Sequence, residues 1–210
     1  MKKIYLLLLP LLANISFADM SIVSYTNSSA DIDNSNIDIE SDQFSYSLYN
    51  SSNRSAWGLS AGFAEYTNTG STGIDADMLS VGYSKYFADR TSEPAQFISA
   101  DVAIISLDVT SNASLAYESD SILYSLGGGI QFTPEEGFGY FAGLSLDILV
   151  YDDDASNGVA LDTETDLGYE LGVSYALSNG IRFTAGIGDA SEGASSPTRI
   201  GVGYQFWYSD

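Results

Sequence analysis

Beyond residue 19, large apolar side chains alternate with glycine, serine and alanine at a period of two residues. In residues 167–177, one face of the pattern holds only leucine, valine and tyrosine. The other face holds glycine, glutamate, serine and alanine. Successive side chains of a β-strand point to opposite faces, whereas a helical pattern repeats every 3.6 residues. The alternation therefore predicts β-strands, and no segment after residue 19 carries a helical pattern.

The same pattern recurs along the chain and predicts an all-β protein. Clusters of Asn, Asp, Ser, Gly and Pro separate the predicted strands. Clear strands cover residues 57–63, 79–87, 122–132, 140–150, 167–177, 181–187 and 200–208, less regular ones cover 37–49 and 97–109, and a short candidate lies near 21–26.

The composition of the small-residue face favours a transmembrane barrel. Water-exposed sheet faces are rich in Lys, Glu, Thr and Arg, but here that face is mostly Gly, Ser and Ala, which suit a narrow, crowded lumen. The apolar face, with aromatic residues near the strand ends, suits hydrocarbon and its two interfaces. A secreted β-sandwich is the alternative, and its solvent face would consist of glycine and serine.

The links between strands alternate in length, as in outer-membrane barrels with short periplasmic turns and longer outer loops. Residues 178–180 and 134–137 form short links, whereas 152–163, 191–197 and 111–117 form long ones. Placing both termini in the periplasm requires an even number of strands. Nine strands are clear or fairly regular, so an even number requires that residues 21–26 form the tenth. We predict an antiparallel up-and-down transmembrane β-barrel of ten strands, with eight strands as the alternative.

The N-terminus reads as an export signal. Lys2 and Lys3 precede an apolar run over residues 4–13, and small residues stand at Ser16 and Ala18. This order is typical of a cleaved signal peptide. A membrane anchor is the alternative, but the run is much shorter than the roughly 20 residues of a spanning helix. We predict a signal peptide over residues 1–18 and a barrel over 19–210.

Composition restricts the chemistry that the chain can perform. It contains no histidine and no cysteine, which excludes imidazole catalysis, thiolate metal sites and disulfides. Removing the predicted signal leaves five basic against 28 acidic residues, a net charge of −23. This balance argues against nucleic-acid binding. We expect no enzymatic activity, no bound metal and no cofactor.

The predicted topology places most acidic residues in or near the outer loops and most basic residues at the periplasmic end. An acidic rim would attract Ca²⁺ or Mg²⁺, which could bridge it to lipopolysaccharide phosphates. The alternative is a set of solvated loops in a protein adapted to salt. Two runs resemble parts of calcium sites, Asp31-x-Asp33-x-Ser35 and Asp152-Asp153-Asp154, and we interpret both as solvated loop carboxylates.

Several polar residues fall on the lumen side of the predicted strands. A narrow barrel leaves them little space, so charged members need partners inside it. We expect an internal network of carboxylates and arginines that stiffens the barrel, with a narrow polar pathway as the alternative. The lumen-lining candidates are Asp101, Gln131, Asp147, Glu170, Arg182 and Arg199.

The last strand carries a family resemblance. Gly201, Gly203, Tyr204 and Phe206 resemble the Gly-x-Gly-Tyr-x-Phe ending of small outer-membrane barrels of the OmpX/Ail and OmpA-like porin superfamily. In that superfamily the aromatic ending is read by the barrel-assembly machinery. The chain departs from the pattern by continuing through residues 207–210. The resemblance implies a Gram-negative outer-membrane location and a signal for barrel assembly.

Function transfers poorly from this fold, and two roles remain open. The first is a non-enzymatic structural or surface-interaction barrel, expected to be a monomer, whose acidic outer loops meet lipopolysaccharide and outer-membrane lipid, with divalent cations as bridges. The second is a narrow porin that passes small solutes or cations through the Gly/Ser-lined lumen.

Overall fold

The computed structural model describes residues 18–31, 37–50, 55–68, 72–111, 114–151, 163–188 and 198–207. Among these residues, no helix is long and apolar enough to span a membrane. The described chain forms ten strands: β1 (Ala18–Asp31), β2 (Ile37–Asn50), β3 (Ser55–Asn68), β4 (Thr72–Tyr86), β5 (Ala95–Ser111), β6 (Ser114–Phe132), β7 (Gly137–Tyr151), β8 (Glu164–Ala176), β9 (Ile181–Gly188) and β10 (Thr198–Trp207).

The strands form one closed antiparallel barrel in which each strand pairs with its sequence neighbours and β1 pairs with β10. The closing register runs from Met20 opposite Trp207 to Ser29 opposite Thr198. The prediction of ten strands is confirmed. The weak segment at residues 21–26 is the middle of a full strand. Its pattern is faint because outward positions such as Asn27 and Ser29 are polar, like its lumen positions.

Successive connections between strands lie alternately at the two ends of the barrel. We call the end with residues 51–54, 87–94, 133–136 and 177–180 the turn end. It also holds the start of β1 and the end of β10. The opposite, loop end holds the connections 32–36, 69–71, 112–113, 152–163 and 189–197.

One predicted loop is much shorter than expected. The prediction gave a long link over residues 111–117, but β5 runs to Ser111 and β6 begins at Ser114. A register shift between Val109 and Thr110 accompanies this extension. Residues 110–114 read Thr-Ser-Asn-Ala-Ser, a composition typical of a loop, and the short alternation of Leu115 and Tyr117 beyond them was too brief to indicate a strand.

The structure places the large apolar side chains on the outer surface. Leu144, Leu167 and Ile200 are each at least 70% exposed, whereas Gly201 and Gly203 on the lumen side of β10 are buried. Exposing this much apolar area to water is unfavourable, so the outer surface favours contact with an apolar medium. The glycine and serine face therefore lines the lumen, as the composition of the two faces predicted.

Glycines on the lumen face let neighbouring strands pack closely. A Cβ atom at Gly129 would lie 2.8 Å from Cα of Gly143 and would also overlap the carbonyl oxygen of Ala142. By contrast, a Cβ atom at Gly58 would lie 3.7 Å from Oγ of Ser47, an ordinary contact. The pairing of β6 with β7 at Gly129 therefore leaves less space for a side chain than the pairing of β2 with β3 at Gly58.

This difference predicts unequal effects for the same substitution. Gly129→Ala should lower the free energy of unfolding by about 1–3 kcal/mol, because backbone atoms must move to accept the methyl group. Gly58→Ala is the matched control and should leave stability nearly unchanged. Urea unfolding of the protein refolded into lipid vesicles measures both, and equal stabilities for the two variants would contradict the packing described for β6 and β7.

Candidate functional site: the charged lumen

The lumen contains two cavities that differ in charge. The turn-end cavity, of about 220 Å³, is lined by Arg90, Arg182, Glu170 and Arg199, among other residues. The loop-end cavity, of about 570 Å³, is lined by Asp101 and Asp147 and shares Arg199 with the first cavity. The predicted lumen residues thus divide between two chambers.

The loop-end cavity carries two of the predicted carboxylates. Asp147 accepts a hydrogen bond of 3.0 Å from Oγ of Ser145. Asp101 lies against Gly82, whose missing side chain leaves the space that the carboxylate occupies. Two carboxylates facing one chamber make its potential negative.

Arg199 and Glu170 form the ion pair of the lumen. Nη1 of Arg199 donates to Oε1 of Glu170 at 2.9 Å, and the side chains are 38% and 47% exposed. Pairs with this much solvent contact contribute about 0–1 kcal/mol. The Arg199–Glu170 pair therefore neutralises charge locally and adds little to stability.

Arg182 is bound by neutral groups. Its side chain is 4% exposed. Nη1 donates to Oγ of Ser174 at 3.2 Å, and Nη2 donates to the carbonyl oxygen of Pro134 at 2.6 Å and to Oε1 of Gln205 at 3.1 Å. No carboxylate of the described residues forms an ion pair with it.

Arg90 lies in the turn between β4 and β5 and is 1% exposed. Its guanidinium carbon sits 3.8 Å from the ring centroid of Tyr49 and 5.1 Å from that of Tyr86. Nη1 donates to Oγ1 of Thr133 at 3.4 Å. Stacking on aromatic rings offsets part of the cost of burying the charge, by about 2 kcal/mol when water is excluded.

Three donor atoms of the buried arginines lack an acceptor within the described part of the chain. They are Nε and Nη2 of Arg90 and Nε of Arg182. Each unsatisfied buried donor costs about 1–3 kcal/mol. We expected a network of carboxylates and arginines. In the described residues, its only ion pair joins Arg199 to Glu170, and the two most buried arginines, Arg90 and Arg182, form no ion pair with a carboxylate.

Aromatic and apolar residues surround Arg90 at the turn end. The OH group of Tyr86 donates to Oε1 of Gln131 at 2.8 Å, which places this predicted lumen residue beside them. Met20, Tyr49, Ala56, Tyr86 and Ala95 form the buried apolar cluster of the described residues. We call Arg90, Arg182, Tyr49 and Tyr86 the arginine plug.

The closing-strand motif occupies both faces of β10. Tyr204 and Phe206 point outward and contact each other with ring centroids 4.6 Å apart. A Cβ atom at Gly203 would lie 3.0 Å from the carbonyl oxygen of Val23, so the small residue permits close pairing with β1. Phe206 lies opposite Ser21 within β10. Tyr208 lies outside the described residues.

The register aligns acidic residues in a row at the loop end. Directly opposite positions on five consecutive strands, β2 to β6, are Glu40, Glu65, Asp75, Asp108 and Glu118. Among them, Glu40, Asp75 and Asp108 are exposed, on the side of their strands away from the lumen. Like charges placed directly opposite in a sheet are destabilising. We call these five residues the carboxylate row.

Sequence reasoning missed the plug and the row for different reasons. Tyr49 and Tyr86 lie on the small-residue face of their strands, so the alternation already indicated that two aromatic rings enter the lumen at the turn end. Arg90 lies in a turn, and nothing in its neighbourhood marks it as buried. The carboxylate row exists only once the register is known.

Most of the first calcium-like run and all of the second lie outside the described residues, at positions 32–36 and 152–154. In the part of the chain that the structure describes, no group of three or more acidic side chains is arranged to hold a metal ion.

Comparison with solved structures supports the fold. The chain is similar to the translocator domain of the autotransporter NalP from Neisseria meningitidis, with a TM-score of 0.56 and 14% identity over 94% of this chain and 92% of that one. It is similar to the β domain of the Bordetella autotransporter BrkA, with a TM-score of 0.56 and 15% identity over 91% and 100%. Neisserial surface protein A matches at a TM-score of 0.47 and 9% identity over 90% and 96%.

No protein-family model and no curated protein sequence matches the chain. Sequence identities this low indicate a shared fold and do not transfer a function. The chain therefore shares the fold of the two autotransporter domains.

The exposed ion pair yields a quantitative prediction. A double-mutant cycle of Arg199→Gln and Glu170→Gln should give a coupling free energy below about 1 kcal/mol, and high salt should reduce it further. Urea unfolding at low and high salt provides the measurement. A coupling energy well above this range, insensitive to salt, would mean that the pair is shielded from water.

Proposed function

We propose that this protein is a non-enzymatic barrel of the Gram-negative outer membrane, with a structural or surface-interaction role, whose carboxylate row attracts divalent cations that one or two of its carboxylates share with lipopolysaccharide phosphates. The observation that carries the proposal is the row itself. Five like charges on adjacent strands need counter-ions, and divalent cations neutralise pairs of carboxylates most effectively.

The membrane location is supported by the outer surface and by the closed sheet. Leu144, Leu167 and Ile200 belong to an outward apolar band that matches hydrocarbon. Closure leaves no unpaired strand edge, which a membrane requires because lipid offers no hydrogen bonds to the backbone. The predicted signal peptide over residues 1–18 would export the chain, and the Gly201 to Phe206 motif would be read by the barrel-assembly machinery.

The position of the row agrees with a lipopolysaccharide partner. The loop end holds the two longest connections, 152–163 and 189–197, and lies opposite the start of β1 and the end of β10, so in an outer-membrane barrel it would face the cell exterior. Glu40, Asp75 and Asp108 are exposed on the outside of their strands, so they would stand beside the lipid headgroups. Lipopolysaccharide phosphates carry the same sign of charge as the row, and only a cation between them makes the contact favourable.

Removing charges from the row should remove the dependence on divalent cations. In vesicles containing lipopolysaccharide and Mg²⁺, chelation by EDTA should lower the temperature at which the wild-type barrel loses its heat-resistant gel mobility. Asp75→Asn with Asp108→Asn should be less sensitive to EDTA and more stable without Mg²⁺, because each relieved like-charge pair is worth about 0.2–1 kcal/mol.

The matched control is Glu135→Gln with Glu136→Gln, which removes the same charge from exposed positions at the turn end. It should respond to EDTA as the wild type does. Equal EDTA sensitivity in the row variant and the wild type would refute a cation bridge at the row.

A narrow porin is the second candidate, and the loop-end cavity of about 570 Å³ favours it. Its carboxylates Asp101 and Asp147 would favour cations. The arginine plug argues against it, because Arg90 is 1% exposed and its guanidinium packs against the rings of Tyr49 and Tyr86, which narrows the lumen at the turn end. The structural role is therefore the better supported of the two.

Conductance in a planar bilayer separates the two candidates. Wild-type protein with insertion verified by its heat-dependent gel shift should show no steady channel steps. Arg90→Ala should conduct small ions, because it removes the side chain that closes the lumen. Lys85→Ala, which removes a positive charge from an exposed position at the same end, should stay silent. Steady cation-selective steps from the wild type would establish the porin instead.

A further inference from the structure

The turn-end cavity has an unusual charge arrangement. Arg90 and Arg182 both line it and are both almost completely buried. The β6–β7 turn brings them together, because Arg90 donates to the side chain of Thr133 and Arg182 donates to the carbonyl oxygen of Pro134, the next residue. Two cationic groups therefore share one small enclosed space.

Neither guanidinium has an anionic partner among the described residues. The lumen carboxylate of that cavity, Glu170, pairs with Arg199. Two nitrogen atoms of Arg90 and one of Arg182 are buried without an acceptor in the described chain. Water in the cavity could accept these hydrogen bonds but would leave two like charges uncompensated in a medium of low polarity.

We propose that the turn-end cavity is a binding site for a small inorganic oxyanion of the phosphate type, held between the guanidiniums of Arg90 and Arg182. A guanidinium presents a planar fork of N–H donors that matches the spacing of oxygens on phosphate. The free donors of both residues supply hydrogen bonds, and the anion compensates both charges. The volume of about 220 Å³ accommodates an ion of this size.

The bound anion would complete the arginine plug. It would link the β4–β5 turn, which holds Arg90, to β9, which holds Arg182, through donor atoms that have no acceptor among the described residues. This inference does not depend on whether the barrel conducts or on the carboxylate row, because it concerns the opposite end of the lumen.

Calorimetric titration of the refolded full chain in detergent micelles tests the site, with sodium phosphate as the probe in a buffer free of other oxyanions. The wild type should bind one phosphate saturably. Arg90→Gln and Arg182→Gln should each weaken binding roughly tenfold to a hundredfold, the range for losing a charged hydrogen-bond partner. Lys85→Gln is the matched control. It removes one positive charge from an exposed position at the same end and should bind phosphate like the wild type.

A second measurement covers the case in which an arginine variant does not refold. The thermal unfolding temperature of the wild type should rise with phosphate concentration at constant ionic strength, with sodium chloride as the comparison salt. Absence of saturable binding by the wild type would overturn the proposal. So would unchanged affinity in both arginine variants, or an equal stabilisation by chloride, which would indicate a screening effect in place of an oxyanion site.

Discussion

Every strand of this barrel depends on the pairing of β1 with β10. A lipid-facing sheet must satisfy each backbone N–H and C=O group internally, because hydrocarbon offers no alternative partner. The register from Met20 opposite Trp207 to Ser29 opposite Thr198 removes both sheet edges. Gly201 and Gly203 fit this seam because a Cβ atom on either would crowd the backbone of β1. The same glycines belong to the motif that resembles the superfamily ending, so this motif has a packing reason independent of any role in assembly.

Closure of a ten-stranded sheet also determines the electrostatics of the interior. The lumen is too narrow for many charged side chains, and the chain separates them by sign along the axis. Asp101 and Asp147 face the loop-end cavity, whereas Arg90 and Arg182 face the turn-end cavity, and Arg199 lies at the junction, where Glu170 neutralises it. Carboxylates and guanidiniums in separate chambers are too far apart to form ion pairs with one another. Each chamber therefore has a net charge, and the positive charge of the turn-end chamber is the basis of the proposed oxyanion site.

Much of the fold could be predicted from the residues. Period-two alternation located nine of the ten strands, and the parity of an even-stranded barrel required the tenth. The strand around residues 21–26 was difficult because its continuation, residues 26–29, is entirely polar, and the short 112–113 connection was difficult because residues 110–114 have the composition of a loop. The lumen positions of Gln131, Glu170 and Arg182 followed from the alternation, since each side chain stands on the small-residue face. Arg90 could not be found in this way, because a turn has no fixed period and its burial depends on rings contributed by β2 and β4.

The sequence by itself determined the strand pattern, the apolar outer face, the small-residue lumen and the absence of imidazole and thiol chemistry. All of these follow from which residue types occur and from their spacing along the chain. Only the tertiary structure decided which side chains meet. The register set Glu40, Glu65, Asp75, Asp108 and Glu118 opposite one another, and barrel closure brought Arg90 beside residues 41 and 43 positions away, Tyr49 and Thr133. Such contacts depend on pairing between distant strands, which the local pattern of any one strand does not encode.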